Sequence, residues 1–82
     1  MSMNYEAGQI VKSLAGHDKD SLYMIVKAEG NFIWAVDGKS RKLEDPKKKN
    51  IRHVQLINAF VPDEDRDKDV AIQHFLKSYG GI

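Results

Sequence analysis

Among its 82 residues the chain has no cysteine. That excludes disulfides, thiolate metal sites and a cysteine nucleophile together, and it suits a reducing compartment. No apolar run approaches the roughly 20 residues that a membrane helix needs. The opening "MSMNYEAG" is neither basic nor followed by an apolar run. No secretory signal is therefore expected; the predicted location is cytoplasmic, without a membrane partner. There is no glycine-rich phosphate loop, and a chain this short buries only roughly 60% of its unfolded surface. A large cleft between two lobes is excluded on size.

Net charge is nearly absent too. Lys and Arg number 13 and Asp and Glu 12, for a net +1. The distribution is uneven. From Lys39 to His53, "KSRKLEDPKKKNIRH", there are seven basic and two acidic residues, a local +5, while the segments before and after each sum to −2. Gathered Lys and Arg suit a polyanion, because neutralising phosphates releases counterions.

Residues 8–58 carry β signals. "QIVKSLA" (9–15) is a strand candidate, and "GHDKDS" (16–21) a polar turn. In "LYMIVKA" (22–28), Leu22, Met24 and Val26 face one side and Tyr23 and Ile25 the other. "EGN" (29–31) marks a hairpin into "FIWAV" (32–36). Asp37-Gly38 signals a two-residue hairpin, which makes "KSRKL" (39–43) the returning strand. "EDPKKKN" (44–50) reads as an exposed loop, since Pro46 cannot donate to a ladder, and "IRHVQLI" (51–57) is the fifth strand. Five short strands in about fifty residues predict a mainly β fold: a small, closed or nearly closed five-stranded barrel with few exposed edges. Residues 1–7 read as a tail and 59–64 as a linker. Residues 65–79 form a C-terminal α-helix, with Ile72, Phe75, Leu76 and Tyr79 on one face and Gly80 placed to end it, and 80–82 are a second tail. Asp63, Glu64, Asp65 and Asp67 lie before or in its first turn, where the macrodipole favours negative charge.

The stretch Gly8 to Val36 resembles a KOW motif, in which Gly-x-x-Val begins a strand, a glycine turns a polar loop and a second hydrophobic strand follows. Gly8, Val11, Gly16, Lys19, Ile25 and Val26 match that outline. The continuation "DGKSRKLEDPKKKNIRHV" is similar to small bacterial KOW proteins related to archaeal and eukaryotic large-subunit ribosomal proteins. The resemblance spans about residues 7 to 57. It departs at Asp20, where the family usually has glycine; Asp tolerates left-handed backbone better than most residues. The resemblance implies an SH3-like barrel and association with RNA or the ribosome.

The candidate nucleic-acid-binding residues are Lys39, Arg41, Lys42, Lys47, Lys48, Lys49, Arg52 and His53, with Lys19 from the first turn and Tyr23 as a ring for base stacking. The lysines of the 44–50 loop are expected to tolerate substitution without loss of the fold. Phe32 and Trp34 are also rings that could stack unpaired bases, but they share a face with Val36 and a core this small needs its aromatics, so they are read as core. Other constellations fail on spacing. "DEDRDKD" (63–69) imitates a calcium loop, but counting from Asp63 it has Lys68 where glycine is required and His74 where glutamate belongs. His17, His53 and His74 share no metal-ligand spacing. His17 and Asp18 with Ser13 or Ser21 list the types of a triad, but they are crowded into one turn without an oxyanion pocket. The expectation is an RNA-binding module for ribosomal or other structured RNA, acting in translation, with no cofactor and no enzymatic activity. The alternative is an adaptor docking on a protein of the transcription or translation machinery, as KOW domains of NusG-type factors do.

Overall fold

A computed structural model describes residues 5–80. The fold is mainly β. Five strands, β1 (Gln9–Ser13), β2 (Leu22–Glu29), β3 (Phe32–Val36), β4 (Lys47–Asn50) and β5 (Val54–Phe60), form one antiparallel sheet in the order β4-β3-β2-β1-β5, and a single α-helix, α1 (Asp69–Gly80), follows. Short one-turn 3-10 helices at Ile51–His53 and Asp63–Asp65 join the last elements.

Alternation along the strands builds two cores. On one face Ile10, Met24 and Val36 meet Val61 and the helix residues Ile72 and Leu76. On the other, Val11, Tyr23, Ile25, Ile33, Ala35 and Val54 pack together inside the curl of the sheet, with Tyr5 against them. Tyr5, within the segment 1–7 read as a tail, thus packs against the core, while Glu6 and Ala7 are exposed; residues 1–4 of that segment and residues 81–82 lie outside the described residues. A register shift between Ile25 and Lys27 reverses the parity of β2 at Val26, so Lys27 shares a face with its partner Trp34.

The expected small five-stranded, SH3-like barrel is present in its nearly closed form, a curled sheet whose two edges are β4 and β5. Within the sheet and helix, several element boundaries differ from the sequence expectation. The segment 39–43 is no strand. Asp37 Oδ1 accepts from the backbone N–H of Lys39 (2.9 Å) and Arg41 (2.8 Å), and Leu43 N–H donates to Asp69 Oδ1 (2.8 Å), so the chain folds onto the start of α1 instead of returning along β3. Gly38 (φ +79°) fits there because a Cβ would meet the backbone of Asp69 and Gln73. The fourth strand is instead Lys47–Asn50, inside the segment read as a loop. Pro46 stands just before it and costs no ladder bond, and charged residues are at home on an edge strand. The helix is also shorter at its start than 65–79, because Asp63–Asp65 form a separate turn, and β5 runs to Phe60, into the segment read as a linker. At the first turn the left-handed backbone that Asp20 was expected to tolerate is present, at φ 74°.

Candidate nucleic-acid interface

The three consecutive lysines of β4 point in alternate directions, because a strand has period two. Lys47 and Lys49 turn inward and Lys48 outward. Lys49 is 8% exposed at its side chain and donates to Asp18 Oδ2 at 2.8 Å; Lys47 donates to the same oxygen at 3.1 Å. Tyr23 Oη donates to Oδ2 at 2.7 Å and Ser13 Oγ to Oδ1 at 2.9 Å. Burial works against the charged carboxyl, but the hydrogen bonds from Lys49, Tyr23, Lys47 and Ser13 outweigh it and hold Asp18 well below the usual carboxylate range. Burial, and then the bond to Asp18, push the Tyr23 phenol above its ordinary range.

This cluster corrects two site expectations. Tyr23 is 4% exposed, so its ring faces the core and not a base. Lys49 is buried and Lys47 half-buried, so the PKKK segment is not a uniformly exposed loop. A Lys47, Lys48, Lys49 triple replacement by Glu would put two carboxylates beside Asp18 and disturb the fold. Asp18 itself is engaged by Ser13, Tyr23 and two lysines rather than by His17, so the triad types of the first turn make a structural tie. β4 lies three places from β1 in the sheet, yet Lys49 Nζ reaches Ser13 Oγ at 3.4 Å. Side chains thus hold the curl that no β4–β5 ladder closes.

The outward face is different in kind. Two cross-strand rows lie side by side on β2, β3 and β4: Lys27, Trp34 and Lys48 in one, Glu29, Phe32 and Asn50 in the next. Phe32 is 38% exposed and Trp34 half-buried. Both do share the face of Val36, but they lie at the far end of β3, beyond the part that α1 covers, so their assignment to the core is corrected. Lys48 Nζ sits 4.3 Å from the Phe32 ring centre and 5.6 Å from that of Trp34, and Lys27 Nζ is 4.7 Å from Trp34. Such contacts at exposed sites contribute about 0.5–1 kcal/mol each. They leave the ammonium groups at the surface.

Of the seven cations in the basic window, Lys47 and Lys49 face Asp18 and Arg41 pairs with Asp45 at 3.2 Å. Lys39, Lys42, Lys48 and Arg52 have no ion-pair partner among the described residues. They do not form one patch. Lys39 lines a groove against α1 with Gln73 and Lys77. Lys48 lines a shallow cleft of about 400 Å³ with His17, Asn50 and His53, between the first turn and β4. Arg52 is exposed in the 3-10 turn whose first N–H groups Asn50 caps, its backbone N–H donating to Asn50 Oδ1 at 2.9 Å. Lys19 and Lys42 are exposed. Sequence reasoning missed Lys27 and set Phe32 and Trp34 aside as core; all three precede the +5 window, and only the register shift in β2 puts Lys27 on the face of the two rings.

Among the described residues no three His, Cys, Asp or Glu side chains gather to hold a metal, and no helix is long and apolar enough to cross a membrane. Thermal melts with and without a chelator are expected to coincide; a drop of many degrees on chelation would contradict this. No family model and no curated protein matches the chain.

Proposed function

We propose that the chain is an RNA-binding module of the cytoplasm, non-enzymatic and of the KOW type, engaging the phosphate backbone of structured or ribosomal RNA along its β4 edge. The observation that carries this reading is the outward face itself: Lys48, without an ion-pair partner among the described residues, shares a cross-strand row with Trp34 and Lys27, and the exposed Arg52 follows in the next turn, while the inner lysines of the same strand, Lys47 and Lys49, are both engaged by Asp18. Positive charge is thereby sorted. One part closes the fold, and the other is left for a polyanion. The resemblance of residues 8–36 to a KOW motif supports the same reading. So does the left-handed Asp20, which lets the first turn form without the family's glycine.

The variant that tests it is Lys48→Glu with Arg52→Glu, both exposed and both outside the Asp18 cluster. Affinity for a structured RNA is expected to fall, with circular dichroism unchanged. The slope of log affinity against log salt is expected to flatten by roughly 1.4 units for two single-strand phosphate contacts, and by more on duplex. An intact variant with wild-type affinity and slope would remove this edge from the interface. If the wild type binds no RNA at low salt, the chain is better read as a protein-docking adaptor of the transcription or translation machinery.

A further inference from the structure

We propose that the outward face of β2, β3 and β4 is a stacking platform for unpaired nucleotides, so that the RNA it selects is single-stranded at the point of contact. This rests on the RNA-binding reading above and names the substrate class of that site.

Phosphate binding alone does not require rings at the surface. Yet the sheet leaves two aromatic side chains, Phe32 and Trp34, on its outer face where aliphatic or polar residues would serve as well. They stand at i and i+2 of β3, about 7 Å apart along the strand, a spacing that suits two consecutive bases splayed from one strand. Every base has a π-face, so stacking there is tolerant of sequence. Bases within a duplex are already stacked on one another and present only their edges.

Charge complements the rings. Lys27 and Lys48 flank Trp34 in one cross-strand row, and Lys48 also caps Phe32. In the free protein the ammonium groups rest over the rings. When a base arrives it takes the ring face, and each flexible lysine stem swings its ammonium to the adjoining phosphate. The exchange trades a weak contact for stacking and a charge pair. Glu29, opposite Phe32, is the one carboxylate in the two rows; it lies 3.7 Å from Lys27. It opposes a phosphate there, and its removal frees Lys27 as well. Asn50 completes the second row with an uncharged amide.

Trp34 is the sole tryptophan, so fluorescence excited at the red edge of the band, where the three tyrosines do not absorb, reports on the platform. The experiment titrates the full chain with a short mixed-sequence RNA strand and, separately, with the blunt duplex it forms with its complement. Phe32→Ala, Phe32→Leu and Glu29→Gln are titrated beside the wild type. Expected are quenching of Trp34 by the single strand, tighter binding of the strand than of the duplex, and a loss of roughly five- to 150-fold for Phe32→Ala, the range found per stacked base. Phe32→Leu, which keeps apolar bulk and guards against a folding defect, should lose affinity similarly, and Glu29→Gln should bind more tightly. Equal binding of strand and duplex, with both Phe32 variants unchanged, would overturn the platform and leave backbone binding of RNA standing. Absence of binding to either form at low salt would overturn both readings.

Discussion

Replacing Asp18 with Ala is expected to cost about 3–5 kcal/mol of stability, the range found when one partner of a buried ion pair is removed. The carboxylate accepts from Lys49, Lys47, Tyr23 and Ser13, and is itself only 17% exposed. Without it, the ammonium of Lys49, whose side chain is 8% exposed, keeps its desolvation cost and loses its counter-charge. Lys47, at 37%, is free to turn to water. A small domain holds about 5–15 kcal/mol in total, so the loss threatens folding itself. Urea unfolding at neutral pH measures it. Adding Lys49→Met to Asp18→Ala removes the stranded charge and should recover part of the loss, whereas adding Lys47→Met should recover little. If Asp18→Ala unfolds at the wild-type midpoint, the cluster is not what holds the curl. The acid limb gives a second readout. Asp18 titrates far below an unfolded aspartate, whose pKa is about 3.9. Its stabilisation is therefore complete above about pH 5 and is lost progressively as pH falls below the unfolded value toward the folded one. The wild type should weaken through that window more steeply than Asp18→Ala.

Truncation of Ile72 to Ala is the second large effect, about 2–5 kcal/mol. Ile72 is fully buried at the centre of the helix-side core, among Ile10, Met24, Val36, Val61 and Leu76. Phe75, also on the apolar stripe, is only partly buried against that cluster, so Phe75→Ala should cost less than Ile72→Ala. Denaturant midpoints of the two variants check the order. Equal, near-zero shifts would mean that the helix does not pack on the sheet in solution.

The sequence made β1, β2, β3 and the helix face legible because their apolar residues repeat at the strand and helix periods. It misled where polar chemistry overrode pattern. Asp37-Gly38 reads as a hairpin, but the Asp37 carboxylate captures the N–H groups of Lys39 and Arg41 and sends the chain toward Asp69. "EDPKKKN" reads as a loop because Pro46 cannot donate to a ladder, yet Pro46 stands just outside the strand. At an edge, alternate lysines can point to opposite sides, and here one side holds a buried carboxylate. That partner, Asp18, is 31 residues away in sequence, so no local pattern announces it. Phe32 and Trp34 were placed on the right face but not at the right depth, since periodicity does not tell how far along β3 the helix extends. Of the ten candidate binding residues, the structure withdraws Tyr23 and Lys49 by burial and ties up Lys47 and Arg41 in ion pairs.

RNA is expected to meet the outward face of β2, β3 and β4 and the adjoining edge. Amide chemical-shift mapping on the full chain during titration with a single-stranded RNA tests it most directly. The largest changes are predicted at Lys27, Phe32, Trp34, Lys48, Asn50 and Arg52, with the helix unperturbed. Changes confined to α1 and the Lys39 groove, or none at low salt, would contradict it.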